Sequence, residues 1–254
     1  MADRPHRFGR DRGQIRIART RLLQVDLLQV FVTDVTSKSS RVLTTGPSHH
    51  NPAVSRDGRA MVVNRDEGAH TNLWRLDPET GREQRLTEGE FDTSAALTSD
   101  GAWVLYASAQ DVFKLLKIPG TGGAPVEVSQ RPAYCPGVSA DDRDALCLVF
   151  DPSGNPEGML IPLTGGPPRP APGIPADAAM ARFGPDGRSI TYLVSRQGAD
   201  ELWSLTPQGD KPRRLIRFEG KEIRDFAWSP DGTQLAVVKM SRSGDVVLLK
   251  RSQS

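Results

Sequence analysis

Gly and Pro supply 44 of the 254 residues, about 17 % where about 12 % is ordinary, so turns are frequent and long helices have little room. A mean hydropathy of −0.43, with no unbroken apolar run of about 18 residues, excludes a membrane-spanning helix. With 33 basic and 31 acidic side chains the chain is nearly neutral and is no obvious polyanion binder, and two cysteines cannot supply a disulfide scaffold or a four-ligand zinc site.

At the N-terminus, seven arginines stand against Asp3 and Asp11 in the first 21 residues. With Phe8 as the one interleaved aromatic, this segment reads as a solvated or frayed end rather than a nucleic-acid arm. It has no apolar core stretch and so does not read as a signal peptide. A turn motif then recurs down the chain: GRDRG at 9–13, SRDG at 55–58, TSDG at 98–101, SADD at 139–142, GPDG at 184–187 and SPDG at 229–232. Their aspartates, Asp11, Asp57, Asp100, Asp141, Asp186 and Asp231, are spaced 46, 43, 41, 45 and 45 residues apart.

The flanks repeat as well. Four and six residues after the aspartates come Ile15 and Ile17, Met61 and Val63, Val104 and Tyr106, Ala145 and Cys147, Ile190 and Tyr192, Leu235 and Val237. That alternation has the period of a strand with one side chain in two facing a core. Second apolar runs follow at 30–35, 73–76, 112–118, 159–163, 202–205 and 246–249, and short third runs at RVLT (41–44), QRLT (84–87) and RRLI (213–216). Together with the segment before each aspartate (PAVS, AALT, PGVS, ARFG, FAWS), this makes four short strands in about 43 residues, the size of one propeller blade. A sandwich or barrel would not need the same unit six times. The expected fold is all-β, a six-bladed propeller of four-stranded antiparallel blades filling residues 1–254, with a degraded first blade or an incomplete last one. Only four residues follow Lys250, so the sixth blade lacks an outermost strand of its own.

In the turns, Asp57 with Gly58, Asp100 with Gly101, Asp186 with Gly187 and Asp231 with Gly232 read as structural. The carboxylate accepts turn amides and glycine supplies a positive φ, a need that recurs in every blade, whereas a site is needed once. Trp74 and Trp203, both 17 residues after their aspartates, and Trp228 on an inner strand, read as core aromatics.

FAWSPDGTQLAVVK together with LWRLDPETGREQRLTEG resembles the TolB-type, WD-like β-propeller repeat over essentially the whole chain. The stretch DFAWSPDGTQLAVVKMSRSGDVVLLK is similar to the end of sensor propellers attached to bacterial serine/threonine kinases or winged-helix regulators. The resemblance implies a non-catalytic protein-interaction or ligand-sensing module of bacterial envelope or signalling type. Such relatives hold the propeller outside the cytoplasmic membrane, although the chain as written shows no export route. It also allows that this is a detached C-terminal sensor. Some WD-like propellers that this one resembles are sugar-acid lyases using histidines and a metal.

No G-x-S-x-G elbow, Walker loop or dinucleotide glycine pattern occurs, so the reading is not an enzyme and no cofactor is expected. The candidate binding residues precede the inner strands, at the mouth of an axial channel: His49, His50, Asn51, Asp92, Thr93, Tyr134, Arg224 and Asp225. They would meet a protein partner or small ligand, with no nucleic acid, no membrane insertion and a monomeric chain. The competing enzymatic reading rests on His49 and His50. The oxygen-rich DPSGNPEG (151–158) reads as a hairpin loop rather than a calcium loop. Cys135 and Cys147, six residues either side of Asp141, read as packed, reduced thiols.

Overall fold

The computed structural model describes residues 4–11, 14–22, 28–34, 37–109, 113–129, 133–150, 156–171, 173–206, 211–220, 223–229 and 231–239. Among them the regular structure is all strand. Unit one is β1 (Arg4–Asp11), β2 (Gln14–Leu22), β3 (Leu28–Asp34) and β4 (Ser40–Val42). Unit two is β5 (His49–Val54), β6 (Met61–Glu67), β7 (His70–Leu76) and β8 (Glu83–Arg85). Unit three is β9 (Phe91–Leu97), β10 (Trp103–Ala109), β11 (Phe113–Pro119) and β12 (Val126–Ser129). Unit four is β13 (Ala133–Val138), β14 (Asp144–Phe150), β15 (Pro156–Pro162) and β16 (Arg169–Pro170). Unit five is β17 (Ala178–Phe183), β18 (Ile190–Arg196), β19 (Ala199–Leu205) and β20 (Arg213–Glu219), and the hairpin β21 (Ile223–Trp228) with β22 (Leu235–Lys239) follows.

Each unit is an antiparallel meander in chain order, and a single parallel bridge between Thr71 and Phe91 joins units two and three. The segment that carries the S-x-D-G motif is the loop between the first two strands of each unit. The first strands sit side by side: β5 lies against β1 and β9, β13 against β9 and β17, and β21 against β1. Between β17 and β21, Arg182 holds Asp225 at 2.8 Å. The inner strands therefore run around a common axis and the ring closes where β21 meets β1. Arg4–Asp11, where fraying was one expectation, forms the inner strand of the first meander. The 246–249 run and Gly13 lie outside the described residues.

In β6, β10, β14 and β18, the strands after four of the turns, consecutive residues are buried on both faces, not on one. In β10, Val104, Leu105, Tyr106 and Ala107 are all buried, and in β14 the same holds for residues 145–149. The reason is stacking: every blade is sandwiched between two others, so each face meets an apolar neighbour. Tyr106 and Val104 pack with Val62 and Leu73 in the seam between units two and three. Leu105, between them in sequence, packs with Ala145, Cys147 and Ile161 in the next seam. Three further clusters fill the seams between units one and two, four and five, and five and the last hairpin. Trp74 and Trp203 are half-buried against two of these clusters.

The turns show why the motif has its composition. Ser55 Oγ donates to Asp57 Oδ1 at 2.6 Å and accepts the Ala60 amide at 2.9 Å, while Asp57 Oδ1 also accepts the Arg59 amide. The same pattern is built on Thr98 and Asp100, Ser139 and Asp141, and Ser229 and Asp231. Where Gly184 replaces the serine, Ser189 Oγ donates to Asp186 instead, and a Cβ on Gly184 would lie 2.1 Å from that oxygen. The glycines have φ between +66° and +76°, and Asp142, in the fourth copy, adopts φ +55° in their place. Its carboxylate gains a contact that glycine could not make, accepting the Ser99 amide of the neighbouring turn at 2.8 Å.

At Asp100, Asp141 and Asp186 these bonds hold the carboxylate below its ordinary range. The Ala102 amide chiefly lowers Asp100, and the Ser139 hydroxyl chiefly lowers Asp141. At Asp186 burial pushes upward, but the Arg188 amide and the Ser189 hydroxyl and amide outweigh it. Since folding lowers these groups below the ordinary 3.8, the stability they add is complete above that value and is lost as pH falls through the lower folded values. The melting temperature should be level from pH 7 to about pH 5 and fall below about pH 4. A melting temperature that rose on acidification below pH 4 would contradict this account.

Cys147 is buried and disulfide-bonded, which corrects the expectation of reduced thiols. The chain's one other cysteine is Cys135. The two positions stand on the neighbouring antiparallel strands β14 and β13, next to a register shift between Tyr134 and Gly137.

Candidate functional site

The first strands carry a feature that the sequence did not reveal. Every one of β1, β5, β9, β13, β17 and β21 has a register shift against its neighbour in the half that precedes the turn. Asn51 and Ser94, both six residues before their turn aspartates, take positive φ at these bulges, +48° and +59°. The residue eight before the aspartate is buried wherever its side chain is described: His49, Asp92, Ala178 and Ile223. This position faces a seam between blades rather than open channel. Two units fill it with apolar side chains and two with polar ones.

Asp92 is 1 % exposed. Its Oδ2 accepts the Gly89 amide at 3.0 Å and Asn72 Nδ2 at 3.4 Å, and its backbone carbonyl accepts Asn64 Nδ2 at 2.7 Å. Asn72 is held in turn, donating to the Gly89 carbonyl at 2.7 Å and accepting Arg85 Nη2 at 2.7 Å. Asp92 Oδ1 and Asn64 Oδ1 are buried and take no hydrogen bond among the described residues. Leaving a buried acceptor unmet costs about 1–3 kcal/mol, and more when it is charged.

This network borders a cleft of about 660 Å³ between β8 and the face of unit three. Ser108 is the cross-strand partner of Asp92, and Tyr106, two residues earlier, shares its face. Burial, and then the negative field of Asp92, push the Tyr106 phenol upward, so it stays protonated. Leu86, Leu116 and Ile118 form the apolar wall and Glu88 stands on the rim. Two other openings are built differently. The axial one, about 140 Å³, is enclosed by the turn ends of five inner strands, with Trp228 on its wall and Arg56 donating across it to the Pro185 carbonyl. A groove of about 920 Å³ between units four and five has three aspartates. These are engaged already: Asp141 by Ser139, Asp186 by Ser189, and Asp144 by both terminal nitrogens of Arg169.

The other sequence candidates scatter. His49 is fully buried, with Nε2 3.1 Å from Glu83 Oε1 but off the hydrogen-bond direction, so neither ring nitrogen has a hydrogen-bond partner among the described residues. His50 Nε2 meets Asp66 Oδ1 at 3.1 Å. As consecutive strand residues the two imidazoles project to opposite faces and toward different carboxylates. Asn51 and Thr93 are half-buried, Arg224 is exposed, and Asp225 is buried against Arg182. Tyr134 pairs through its backbone with Leu148. Asp151–Asn155 of the oxygen-rich loop lie outside the described residues.

The sequence reading set Asp92 at a channel mouth; the structure places it in a seam beside Asn64, Asn72, Tyr106 and Ser108, none of which that reading singled out as site residues. A signal for Asn64 existed. Seven residues after the turn aspartates stand Asn64, Ala107, Leu148, Leu193 and Val238, all buried, and a single amide in an apolar column marks a seam with polar business.

No protein-family model matches the sequence, and no curated protein matches it. Solved structures do. TolB from Acinetobacter baumannii superposes with a TM-score of 0.68 at 17 % identity, over 81 % of this chain and 52 % of the other. The chain fold is that of a TolB-like β-propeller. The structure of putative TolB from Agrobacterium tumefaciens matches with a TM-score of 0.66 at 16 % identity, over 82 % of this chain and 87 % of that one. Oligogalacturonate lyase from Vibrio parahaemolyticus matches with a TM-score of 0.59 at 15 % identity, over 87 % and 66 %. The propeller thus spans about half the length of the first TolB and most of the second.

Proposed function

We propose that this propeller is a non-catalytic binding module that holds a protein partner or small ligand against a rigid ring of blades. The observation that carries the reading is the Asp92 cleft: a buried carboxylate, fixed by Asn72 and the Gly89 amide and with one oxygen unmet among the described residues, beside an opening large enough for a small molecule or a side chain. Asn72 holds the carboxylate, Arg85 holds Asn72 and Asn64 holds the Asp92 backbone carbonyl, and such fixing is what a binding group needs if little entropy is to be lost on association. The TolB-like fold agrees with such a role without specifying it.

The lyase-like alternative is not favoured by the histidines on which it rests, because His49 and His50 turn to separate carboxylates. A test is a thermal-shift survey of amines, sugars, carboxylic acids and short peptides, with mass spectrometry of each mixture before and after incubation. The expected result is at least one compound that raises the melting temperature, is recovered unchanged, and loses its effect in Asp92→Ala. Chemical conversion of a compound by the wild type, abolished in Asp92→Ala, would make the chain an enzyme and overturn the proposal.

A further inference from the structure

We infer that the cleft between units two and three recognises an alkylammonium group, with Asp92 Oδ1 as its anionic partner and Leu86, Leu116 and Ile118 against its hydrocarbon body. This rests on the binding reading above and names the chemistry of the ligand.

Asp92 is a buried acid that no cation among the described residues meets. Buried carboxylates are ordinarily paired with a cation, and the repeat contains an internal comparison. Fifteen and twenty-eight residues after Asp186 stand Glu201 and Arg214, which meet at 3.1 Å, and Arg217 adds a second contact at 2.7 Å. The same offsets from Asp57 give Asn72 and Arg85. Arg85 spends Nη2 on the Asn72 amide oxygen and Nε on the Thr87 carbonyl, so the guanidinium reaches the amide rather than the acid. The acid stands one step further on, at Asp92, and none of the ion pairs among the described residues includes it. A cation from outside would complete at this seam the pairing that unit five completes internally.

The number and kind of acceptors in the cleft suit the same group. An ammonium group carries three donors. Among the described residues Asp92 Oδ1 takes no hydrogen bond, and Tyr106 and Ser108 present hydroxyl oxygens on the same face with no hydrogen-bond partner there either. The Tyr106 ring adds an aromatic surface, to which a cation is attracted. A neutral polyol could use the hydroxyls, but it would leave the charge of Asp92 unbalanced and set its own polar atoms against the leucine and isoleucine wall. The ammonium could belong to a free amine or to a lysine side chain of a partner, and both sources present the same group to the cleft.

The test uses the whole chain and isothermal titration at fixed ionic strength with n-butylammonium chloride, its neutral isostere n-butanol, and the peptide acetyl-Gly-Lys-Gly-amide. Butylammonium is expected to bind with Kd of about 1 mM and n-butanol not to bind measurably. Asp92→Asn, nearly isosteric and still able to accept the Gly89 amide, should weaken butylammonium at least about tenfold, the effect of losing a charge-assisted bond. Tighter binding of the peptide would assign a lysine source, and tighter binding of butylammonium a free amine. Equal binding of butanol and butylammonium, no binding of either amine, or undiminished affinity in a folded Asp92→Asn protein would overturn the inference. The butanol comparison needs no variant, so it stands if Asp92→Asn fails to fold. If the amines fail while another compound class binds and depends on Asp92, the inference falls and the binding reading survives.

Discussion

Phe226→Ala is expected to destabilise the fold by about 3–5 kcal/mol, one of the largest losses available to a single substitution here. Phe226 is fully buried on β21, where it joins Leu193, Leu202 and Ile223 with Met180, Leu215 and Phe218 alongside. That cluster is the apolar bond between unit five and the last hairpin, and β21 is also the strand that touches β1 to close the ring. Removing the ring leaves a cavity walled by two different units, which cannot both move in to fill it without opening the closure. At about 2–4 °C per kcal/mol for a chain of this size, the melting temperature should fall by roughly 10 °C. Phe226→Leu should cost less than about 1.5 kcal/mol, and Val126→Ala, on an exposed strand position, less than about 0.5 kcal/mol. Thermal or urea unfolding of the three variants is the measurement. A loss for Phe226→Ala no greater than that for Val126→Ala would show that the last hairpin is not held by this cluster.

Gly187→Ala should cost about 3 kcal/mol or more, for two reasons that add. Gly187 has φ +66°, where a side chain is strained. A Cβ there would also lie 2.0 Å from Ala140 Cβ and 2.7 Å from the Ala140 backbone, so the turn of unit four would have to move bodily. Gly165 separates the two terms. Its φ is +86° but a Cβ would meet nothing within 4 Å, so Gly165→Ala should cost only about 1 kcal/mol for the conformation itself. If both substitutions cost the same, the contact between successive turns contributes nothing and the glycines serve φ alone.

The same contact recurs around the ring. A Cβ on Gly101 would strike Ala60, and one on Gly232 would strike Pro185, each in the preceding unit's turn. Asp142 replaces the glycine in unit four and instead sends its carboxylate to Ser99. The turns that looked independent in sequence are thus packed on one another, which is a reason for the small residue beyond the turn's own geometry.

The turn chemistry and the strand order were legible in the chain because both are local. A carboxylate that accepts amides two residues on, a glycine with positive φ and a two-residue alternation all lie within about ten residues, and the strands at Ser40–Val42, Glu83–Arg85 and Arg213–Glu219 stand where short runs predicted them. The candidate site was legible only in part. The repeat singled out Asp92 by its place before an inner strand, but Asn72 and Arg85 act across a seam between units, and no local pattern shows which face of a strand meets which neighbour. His49 and His50 show the converse: adjacency in sequence on a strand means opposite directions in space.

By itself, then, the sequence determined the repeating unit, its four-strand order and its turns, because these depend on backbone conformation and short-range hydrogen bonds. Tertiary structure decided what each unit does to the next. Stacking buried both faces of β6, β10, β14 and β18, seated Gly101, Gly187 and Gly232 against the preceding unit, and left the Asp92 carboxylate without a cation among the described residues, since burial and charge pairing depend on residues brought together from different blades.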